Sequence, residues 1–205
     1  MYVPAHAREE RPSILYEAIE KIRFGSLVTC DGGRLSISHV PMMADAQAGI
    51  IRGHLARANP QWRVAAGSQA VASFVGPHFY VSPNDYASTA QTGKNVPTWN
   101  YIAVQARGTV TFFDDRDRLL QLVCELTDRA ETDRDVPWHV NDAPAEFIEL
   151  ELRGIIGFEL RVGEIVGAWK LSRNHHQADR ESVAHVLDES DDPALRDLAA
   201  RVRAE

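Results

Sequence analysis

The stretch SLVTCDGGRLSISHVPMM, residues 26–43, decides the fold class of this chain. It contains two β-prone runs separated by an Asp-Gly-Gly turn, which predicts two strands. Two further β-prone runs follow at similar spacing, GIIRGHLA at 49–56 and AVASFV at 70–75. Four strands at near-regular spacing predict a barrel or a sandwich.

Helical periodicity marks the segments around these strands. ILYEAIEKI, residues 14–22, repeats apolar residues at helical spacing after a Pro-Ser pair, which predicts an amphipathic helix. Residues 114–131 repeat leucine and valine in the same way, and either Asp114 or Asp115 suits the N-cap of that helix. Further helices are predicted near Pro144, at 179–188 and from Asp192 and Pro193.

Two later runs and one long polar segment complete the pattern. ARGTVTFF, residues 106–113, and IIGFELRV, residues 155–162, alternate like half-buried strands. Residues 82–98 hold no apolar periodicity and predict a long loop, a length that is usually functional or mobile in compact domains. The pattern as a whole predicts an α+β domain with one antiparallel β core and peripheral helices.

Length and composition fit one folded domain. The chain has 205 residues, of which 44% are hydrophobic and 25% charged, and a single core can serve a chain of this size. We expect residues 1–175 to form the domain and residues 176–205 to form a C-terminal helical extension packed on it. No stretch approaches the ~20 apolar residues of a membrane span, and the N-terminus lacks an apolar signal segment, so cytoplasm is the expected location.

The charge balance opposes a nonspecific grip on nucleic acid. The net charge is −7, whereas phosphate backbones are bound by clustered lysine and arginine. Residues 176–205 contain eight acidic and four basic residues, and no predicted helix carries a basic face. Direct binding to nucleic acid is therefore not expected.

GHLARANPQW, residues 53–62, has the parts of an anion site. A glycine that allows close backbone approach precedes His54, Arg57, Asn59 and Gln61 at the end of a predicted strand. The planar arginine fork suits a phosphate monoester. The alternative interpretation is a surface turn in which Asn59 caps a helix.

WKLSRN and VPTWNYIAV are two further candidate segments. In WKLSRN, residues 169–174, four donor side chains follow a broad aromatic ring, so an anionic, planar ligand could meet both charge and stacking. A solvated strand end is the alternative. In VPTWNYIAV, residues 96–104, a Thr-Trp-Asn-Tyr sequence precedes a strand, and a structural corner explains those residues nearly as well.

Signatures of several enzyme classes are absent from the sequence. It contains no GxSxG, no P-loop and no GxGxxG, which removes the usual support for hydrolase, NTPase and dinucleotide-fold activities. The eight histidines form neither an HExxH pair nor a zinc spacing with cysteine, so no metal site is expected. No residue stands out as a general acid or base; His39 and His54 are the candidates, and histidines that only pack are the alternative.

Six motifs, taken in order, resemble those of one known family. They are MYVPAH at the N-terminus, SHVPMM at 38–43, GHLARANPQW, GPHFYVSPNDY at 76–86, VPTWNYIAV and WKLSRN. From residue 1 to about 185 the chain is similar to the PaiB-type FMN-binding proteins, known as negative transcriptional regulators. It departs from the family pattern at Ala7, Ala168 and Arg173, where the family usually has an aromatic residue, a lysine and a glutamine.

The resemblance implies an antiparallel split β-barrel with peripheral helices, similar to pyridoxamine-phosphate oxidases, and a homodimer with FMN at the subunit interface. It implies that the first strand and the SHVP segment face the isoalloxazine, that GHLARANPQW lies near the phosphate, and that VPTWNY comes from the partner subunit or its edge. The cofactor-binding residues implied in this way are Leu27, Val28, Thr29, Ser38, His39, Val40, Pro41, Gly53, His54, Leu55, Ala56, Arg57, Asn59, Gln61, Thr98, Trp99, Asn100, Trp169, Lys170 and Ser172.

Three functions follow as hypotheses. The first is a cytoplasmic FMN-binding dimer with a regulatory or flavin-dependent redox role, in which the cofactor carries the hydride. The second is direct DNA-binding repression, against which the charge balance argues. The third is a flavin-free module for haem or another planar ligand, with His39, His54 or His78 as the axial ligand.

Overall fold

A computed structural model describes residues 1–204 of the chain. The strands are β1 (Arg8–Glu9), β2 (Phe24–Asp31), β3 (Arg34–Asp45), β4 (Ile50–Ala56), β5 (Ser68–Val81), β6 (Thr98–Phe113) and β7 (Ile155–Lys170). The helices are α1 (Pro12–Ile22), α2 (Thr89–Thr92), α3 (Arg116–Glu131), α4 (Ala145–Leu152), α5 (Gln177–Asp188) and α6 (Pro193–Ala204). Short 3₁₀ helices occur at Ala5–Ala7, Pro60–Arg63, Pro83–Asp85 and Val140–Asp142.

The strands form one sheet that closes on itself. Their order is β1-β7-β4-β3-β2-β5-β6, and β6 also pairs with β7. The pairings of β2 with β3 and β5, of β4 with β3 and β7, and of β1 with β7 are antiparallel. The predicted α+β class, an antiparallel split β-barrel with peripheral helices, is confirmed.

The turn between β2 and β3 sets the register of the first hairpin. Gly32 and Gly33 adopt φ values of 52° and 85°, a backbone region that residues with a side chain rarely enter. The turn pairs Asp31 with Arg34 and carries that register along both strands. Because side chains alternate between the two faces of a strand, this register decides which residues enter the core.

Two compact units, each built from several chain segments, make up the described chain. The central unit comprises residues 16–74 and 105–165, and the terminal unit comprises residues 1–15, residues 75–104 and those from Val166 on. The residues expected to form a C-terminal extension fall in the terminal unit as α5 and α6. Their separation from a domain ending at residue 175 stays a prediction.

The core of the central unit is mainly apolar. Leu27, Phe74, Ile51 and Phe158 have no exposed surface, and each comes from a different strand. Full burial of such a side chain stabilises a fold by about 1.5–3 kcal/mol. In the terminal unit, Val3, Ala7, Val166 and Ala168 form a second buried cluster, against which Met1 and Tyr101 pack.

Helix ends and the polar segment at 82–98 are fixed by side-chain caps. Asp115 accepts a hydrogen bond from the Arg118 amide at 2.9 Å and caps α3, which confirms one of the two predicted cap residues. Asp192 accepts from the Ala194 amide before α6, the helix predicted to begin there. The segment 82–98 is not wholly irregular, because it contains a 3₁₀ helix and the one-turn helix α2. Ser82 and Asp85 form a capping box around the 3₁₀ helix, whereas α2 has no side-chain cap.

Gly108 marks the closest approach of two backbones in the central unit. A Cβ atom at this position would lie 1.8 Å from the carbonyl oxygen of Arg161 on β7. The nearby Gly163 is different, because a Cβ there would lie 3.7 Å from the nearest atom, the Arg107 oxygen. Of these two glycines, Gly108 is the one that the packing of β6 on β7 requires.

Within residues 1–204, no helix combines the length and apolar character needed to cross a membrane.

Candidate functional site: a sheet-face cleft and a cationic pocket

Four neighbouring strands of the central unit present one outward face. Ser26 and Val28 of β2 lie opposite His39 and Ile37 of β3, and opposite Ser73 and Val71 of β5. With Gln105 and Arg107 of β6, these side chains line an open cleft of about 530 Å³, the sheet-face cleft. The alternation of β2 places Leu27 and Thr29 on the other face, where they are buried.

The sheet-face cleft combines an apolar strip with polar edges. Val28, Ile37 and Val71 form the strip, since they lie side by side on β2, β3 and β5. On one side Ser26 Oγ lies 2.9 Å from His39 Nδ1, a hydrogen-bond distance. A flat apolar surface with hydrogen-bonding groups at its border suits a planar heteroaromatic ring.

Arg107 supplies positive charge to the sheet-face cleft. Its guanidinium makes no hydrogen bond or ion pair with any residue in the range 1–204. The neighbouring Gln105 donates to Ser73 Oγ at 3.4 Å. Sequence reasoning does not single out Ser26, Ser73, Gln105 or Arg107. The alternation within ARGTVTFF contains the signal, because it puts the arginine on the face opposite to its alanine and glycine neighbours.

Asn59 and Gln61 form an internal hydrogen-bond network with β2 and β3. Asn59 Oδ1 accepts from the Gln61 amide at 3.0 Å and caps the 3₁₀ helix, while its amide group donates to Ser38 Oγ at 2.7 Å. Gln61 is 3% exposed and donates to the Leu27 carbonyl at 2.9 Å and the Ser36 carbonyl at 3.2 Å. Ser38 in turn donates to Gln61 Oε1. For Asn59 the structure shows the capping role that was the alternative interpretation.

Arg57 is paired away from the other polar residues of its motif. Its Nε donates to the Arg153 carbonyl at 2.8 Å, and its Nη1 lies 3.4 Å from an Asp114 carboxylate oxygen. The residues before it divide by face: Gly53 and Leu55 are buried, Ala56 is exposed and His54 faces a separate apolar pocket. The structure does not gather the motif around one point.

The remaining predicted residues of β3 lie near the sheet-face cleft or behind it. Val40 is half-buried and Pro41 is exposed, and they pair with Gly25 and Phe24. Of the predicted residues in β2 and β3, Val28 and His39 line the cleft.

A second pocket, in the terminal unit, gathers four predicted residues. Thr98 and Asn100 of β6, Lys170 at the end of β7 and Ser172 beyond it line a cavity of about 360 Å³, the Lys170 pocket. Lys170 Nζ donates to Thr98 Oγ1 at 2.6 Å, and Asn100 Nδ2 donates to Ser172 Oγ at 2.9 Å. Each of these two hydrogen bonds joins residues that are 72 positions apart in the sequence.

The Lys170 pocket is cationic although the protein is acidic. Besides Lys170, its walls include Lys94, His6 and His175, and among residues 1–204 no carboxylate lines it. Two ammonium groups and several amide or hydroxyl groups form a donor set that suits a phosphate or carboxylate.

Ser172 occupies a strained backbone conformation at the base of the Lys170 pocket. Its φ is 60°, in the left-handed region, and it is 4% exposed. A non-glycine residue there costs about 1–2 kcal/mol, so the surrounding contacts must hold it. Tyr86 supplies one of them, since its hydroxyl lies 3.4 Å from Ser172 Oγ, and burial raises the pKa of Tyr86.

Tyr86 and Asp179 hold the ring of His175 in the wall of the Lys170 pocket. The His175 ring stacks on Tyr86 at 4.3 Å with an interplanar angle of 5°. Its Nδ1 lies 3.7 Å from an Asp179 oxygen. Burial acts to raise the pKa of Asp179, but hydrogen bonds from Ser88 and His175 outweigh it and lower that pKa. The Asp179 carboxylate is therefore kept ionised.

The two tryptophans of the predicted site have different surroundings. Trp169 is 2% exposed and belongs to the core of the terminal unit, where Gly167 contacts its ring. Trp99 is 53% exposed and lies 6.1 Å from the His78 ring and 6.0 Å from the Tyr80 ring. Trp99 therefore belongs to a surface aromatic cluster that a ligand or partner can reach.

Comparisons with known proteins agree with the fold and the sequence motifs. Residues 1–164 match the family described as "Putative FMN-binding domain". The protease synthase and sporulation protein PAI 2 of Bacillus subtilis is 31% identical over 202 residues, with 97% of this chain and 95% of that protein covered.

Two solved structures share the fold at low sequence identity. An FAD and heme binding protein from Mycobacterium smegmatis gives a TM-score of 0.59 at 15% identity, over 80% of this chain and 73% of that one. A structure described as a "putative 5-nitroimidazole antibiotic resistance protein" from Bacteroides thetaiotaomicron gives a TM-score of 0.54 at 11% identity, over 78% of this chain and 84% of that one. The predicted family and the predicted FMN cofactor are confirmed at the level of the family. The chain belongs to the FMN-binding domain family that includes the PaiB-type proteins.

Proposed function

We propose that the protein is a cytoplasmic, homodimeric FMN protein with a flavin-dependent redox role, and that any effect on transcription is indirect. The sheet-face cleft is the observation that carries the proposal. It joins an apolar strip, hydrogen-bonding groups and an arginine without a partner in residues 1–204 on one outward face.

The residues of the sheet-face cleft fit a flavin ring. Val28, Ile37 and Val71 offer a flat apolar contact for the isoalloxazine, and Ser26 and His39 offer groups for its polar edge. When bound, FMN supplies the hydride or electron chemistry itself. The protein would bind and orient the ring, exclude water from one of its faces and set the charge beside it.

Arg107 and the Lys170 pocket are assigned different roles in this proposal. The Arg107 guanidinium beside the ring favours negative charge on it, as cations near a flavin do. The Lys170 pocket binds a phosphate monoester through Lys170, Thr98, Asn100 and Ser172. FMN and a phosphorylated substrate share that chemistry, and comparison of FMN with riboflavin distinguishes them.

A second copy of the chain is the proposed cover of the outward face. Phe24, Leu35 and Ile37 are 59%, 66% and 59% exposed on β2 and β3. Ile37 belongs to the apolar strip of the sheet-face cleft, and Phe24 and Leu35 continue that strip along the same face. Association of two copies removes them from water, and apolar burial is the main driving force of such contacts.

An indirect route fits the regulatory role better than DNA contact. The Bacillus subtilis relative is named a protease synthase and sporulation protein, and the PaiB-type family that it represents is known for negative transcriptional regulation. This chain carries a net charge of −7, and phosphate backbones repel an acidic surface. A redox or ligand-binding step upstream of a separate regulator meets both observations.

Haem in place of flavin is the second candidate. One solved structure of the same fold is described as binding FAD and heme, and His39 lies on the wall of the sheet-face cleft with Nδ1 beside Ser26. With Nδ1 held in a hydrogen bond, Nε2 would be the atom that binds a haem iron. Absorbance separates the candidates, because haem gives a Soret band and FMN does not.

The test combines spectra with sedimentation. The full chain is titrated with FMN, FAD and haem, and its mass is measured by sedimentation velocity alongside an Ile37→Lys variant. Val186→Lys is the matched control, because Val186 is an exposed aliphatic residue on α5. We expect one FMN per chain, a dimer in the wild type and the control, and a monomer with weakened FMN binding in Ile37→Lys. A monomeric wild type, or a wild type that prefers haem to FMN, would refute the proposed FMN dimer. A sequence-selective gel shift with DNA at 0.15 M salt would refute the indirect route to regulation.

A further inference from the structure

A pocket of about 340 Å³ in the central unit, the His54 pocket, lies apart from both sites described above. His54 of β4 forms part of its wall, together with residues of α3, α4 and β7. None of the residues that line it lines the sheet-face cleft or the Lys170 pocket. Its volume falls in the lower part of the range of small-molecule sites, about 300–1,000 Å³.

His54 brings unused hydrogen-bonding capacity to this pocket. Its Nδ1 is shut off from solvent and has no partner, so a ligand reaches the ring at Nε2, which makes no hydrogen bond with any residue from 1 to 204. A buried polar group without a partner is uncommon in native folds. Burial also lowers the pKa of His54, so at neutral pH the ring is uncharged and can donate through one nitrogen and accept through the other.

The rest of the wall is apolar and aromatic. Val123, Val140 and Leu152 form buried or half-buried parts of the lining. Trp138 and Phe147 lie at the mouth with 45% and 51% of their surface exposed. Two half-exposed aromatic rings at the entrance of an apolar pocket are typical of a ligand site rather than of a packed core.

The charge of the wall selects against anions. Glu151 is the only charged side chain that lines the pocket among residues 1–204. It repels a phosphate or carboxylate, and no lysine or arginine of the lining offsets it. FMN, which carries a phosphate, is therefore a poor fit here.

Hydrogen bonds to α3 hold the aromatic wall in place. The Trp138 amide donates to a Glu131 oxygen at 3.2 Å, and His139 Nδ1 lies 2.9 Å from Asp128 Oδ1. The His139 amide donates to Asp142 at 2.8 Å. The wall is thus built into the fold, as a preformed site requires.

We propose that the His54 pocket binds a small, neutral aromatic molecule that carries a hydroxyl group. The rings of Trp138 and Phe147 contact the aromatic part, and the hydroxyl group pairs with Nε2 of the neutral His54 ring, because Nδ1 is shut off from solvent. A hydroxyl group both donates and accepts, so it satisfies either tautomer of the imidazole. The inference does not depend on the bound flavin or on a redox role.

Three probes of one shape test the chemistry. 4-Ethylphenol carries the hydroxyl group, ethylbenzene lacks it, and 4-ethylbenzoate replaces it with a charge. The chain has four tryptophans, and their indole N–H signals in a ¹H–¹⁵N spectrum, assigned by Trp→Phe variants, report which site is occupied. The titrations are run on the full chain with and without added FMN, so that a failure of flavin binding is seen separately.

We expect 4-ethylphenol to shift the Trp138 signal saturably, with FMN present or absent. Ethylbenzene should bind about tenfold more weakly, the size expected for one buried hydrogen bond, and 4-ethylbenzoate more weakly still. His54→Phe should abolish the difference between 4-ethylphenol and ethylbenzene while both still shift Trp138. Ile148→Trp, which fills the pocket and keeps His54, should prevent the shift by either probe.

Two results would overturn the proposal. One is a Trp138 signal that none of the probes shifts in the folded wild type. The other is a wild type that binds 4-ethylphenol and ethylbenzene equally, or a His54→Phe variant that keeps their difference. Dispersion of the remaining amide signals shows that each variant is folded, and this separates loss of the ligand site from loss of structure.

Discussion

Lys170→Met should separate binding of the FMN phosphate from binding of the flavin ring. Lys170 Nζ donates to the neutral Thr98 hydroxyl at 2.6 Å, and among residues 1–204 no carboxylate lines the pocket to neutralise it. A hydrogen bond to a charged group contributes about 1.5–3 kcal/mol, which corresponds to roughly 10- to 150-fold in affinity. Since the side chain is half-buried and salt screens part of the interaction, we expect about tenfold weaker FMN binding at 0.15 M salt.

The assay compares FMN with riboflavin by quenching of flavin fluorescence. Riboflavin lacks the phosphate, so its affinity should stay within about twofold in Lys170→Met if the contact is to phosphate. Lys21→Met is the control, because Lys21 is an exposed lysine paired with Glu17 at 2.7 Å. Equal weakening of FMN and riboflavin would mean that Lys170 acts on the fold. Unchanged binding of both would remove the Lys170 pocket from the cofactor site and leave it to a phosphorylated substrate.

Three further perturbations have definite expected outcomes. Arg107→Gln in the FMN-loaded protein should lower the two-electron midpoint potential of the flavin by about 30 mV or more, because it removes a positive charge beside the ring. A dye-coupled titration measures the potential, and an unchanged value would contradict the placement of Arg107 beside the ring. Gly108→Ala should lower the free energy of unfolding by about 3 kcal/mol, because its Cβ would lie 1.8 Å from a backbone oxygen. Gly163→Ala should lower it by less than about 1 kcal/mol, because its Cβ would lie 3.7 Å from the nearest atom. Equal urea midpoints for the two variants would contradict this. The Arg11 guanidinium lowers the pKa of the buried Glu9 from 4.5 to about 2, so Glu9 contributes about 2–3 kcal/mol that is complete above pH 4.5 and is lost as pH falls towards 2. The stability difference between wild type and Glu9→Gln should therefore be constant from pH 7 to about 5 and shrink below it, and a difference that grows on acidification would refute the assignment.

The barrel could be predicted from sequence because its signals are local. The Asp-Gly-Gly turn and the alternation on either side of it define β2 and β3 within one short stretch. The cap at Asp115 is equally local, since the Arg118 amide that donates a hydrogen bond to it lies three residues away. Features of this kind depend on backbone geometry and on immediate neighbours, both of which a sequence shows.

The candidate site was predicted less completely because its contacts are distant in sequence. The bond between Asn100 and Ser172 spans 72 residues, and that between Gln61 and the Leu27 carbonyl spans 34. Nothing near Gln61 in the sequence indicates that its side-chain amide makes hydrogen bonds to the backbone of β2 and β3. The positive φ of Ser172 is likewise set by tertiary contacts and has no local signal.

Trp169 and Arg107 illustrate the two directions of error in reasoning about side chains. A tryptophan beside a lysine suggests ligand stacking, yet Trp169 is 2% exposed and packs in the core. The arginine in ARGTVTFF attracts no attention in the sequence, yet it lies in the sheet-face cleft. Which face of a strand meets solvent is decided by the whole sheet and not by the strand alone.

The hydrogen bonds of Asn59 and Gln61 to Ser38 and Leu27 have a consequence for how relatives diverge. A descendant that had lost its flavin would still be selected to keep the ANPQW segment, because replacing Gln61 would leave buried donors and acceptors of β2 and β3 unsatisfied. The segment would thus be retained for the stability of the barrel after the ligand had changed. Surveys of genomes that count flavoproteins by this segment would overestimate their number, and outward positions such as His39 and Arg107 would discriminate better.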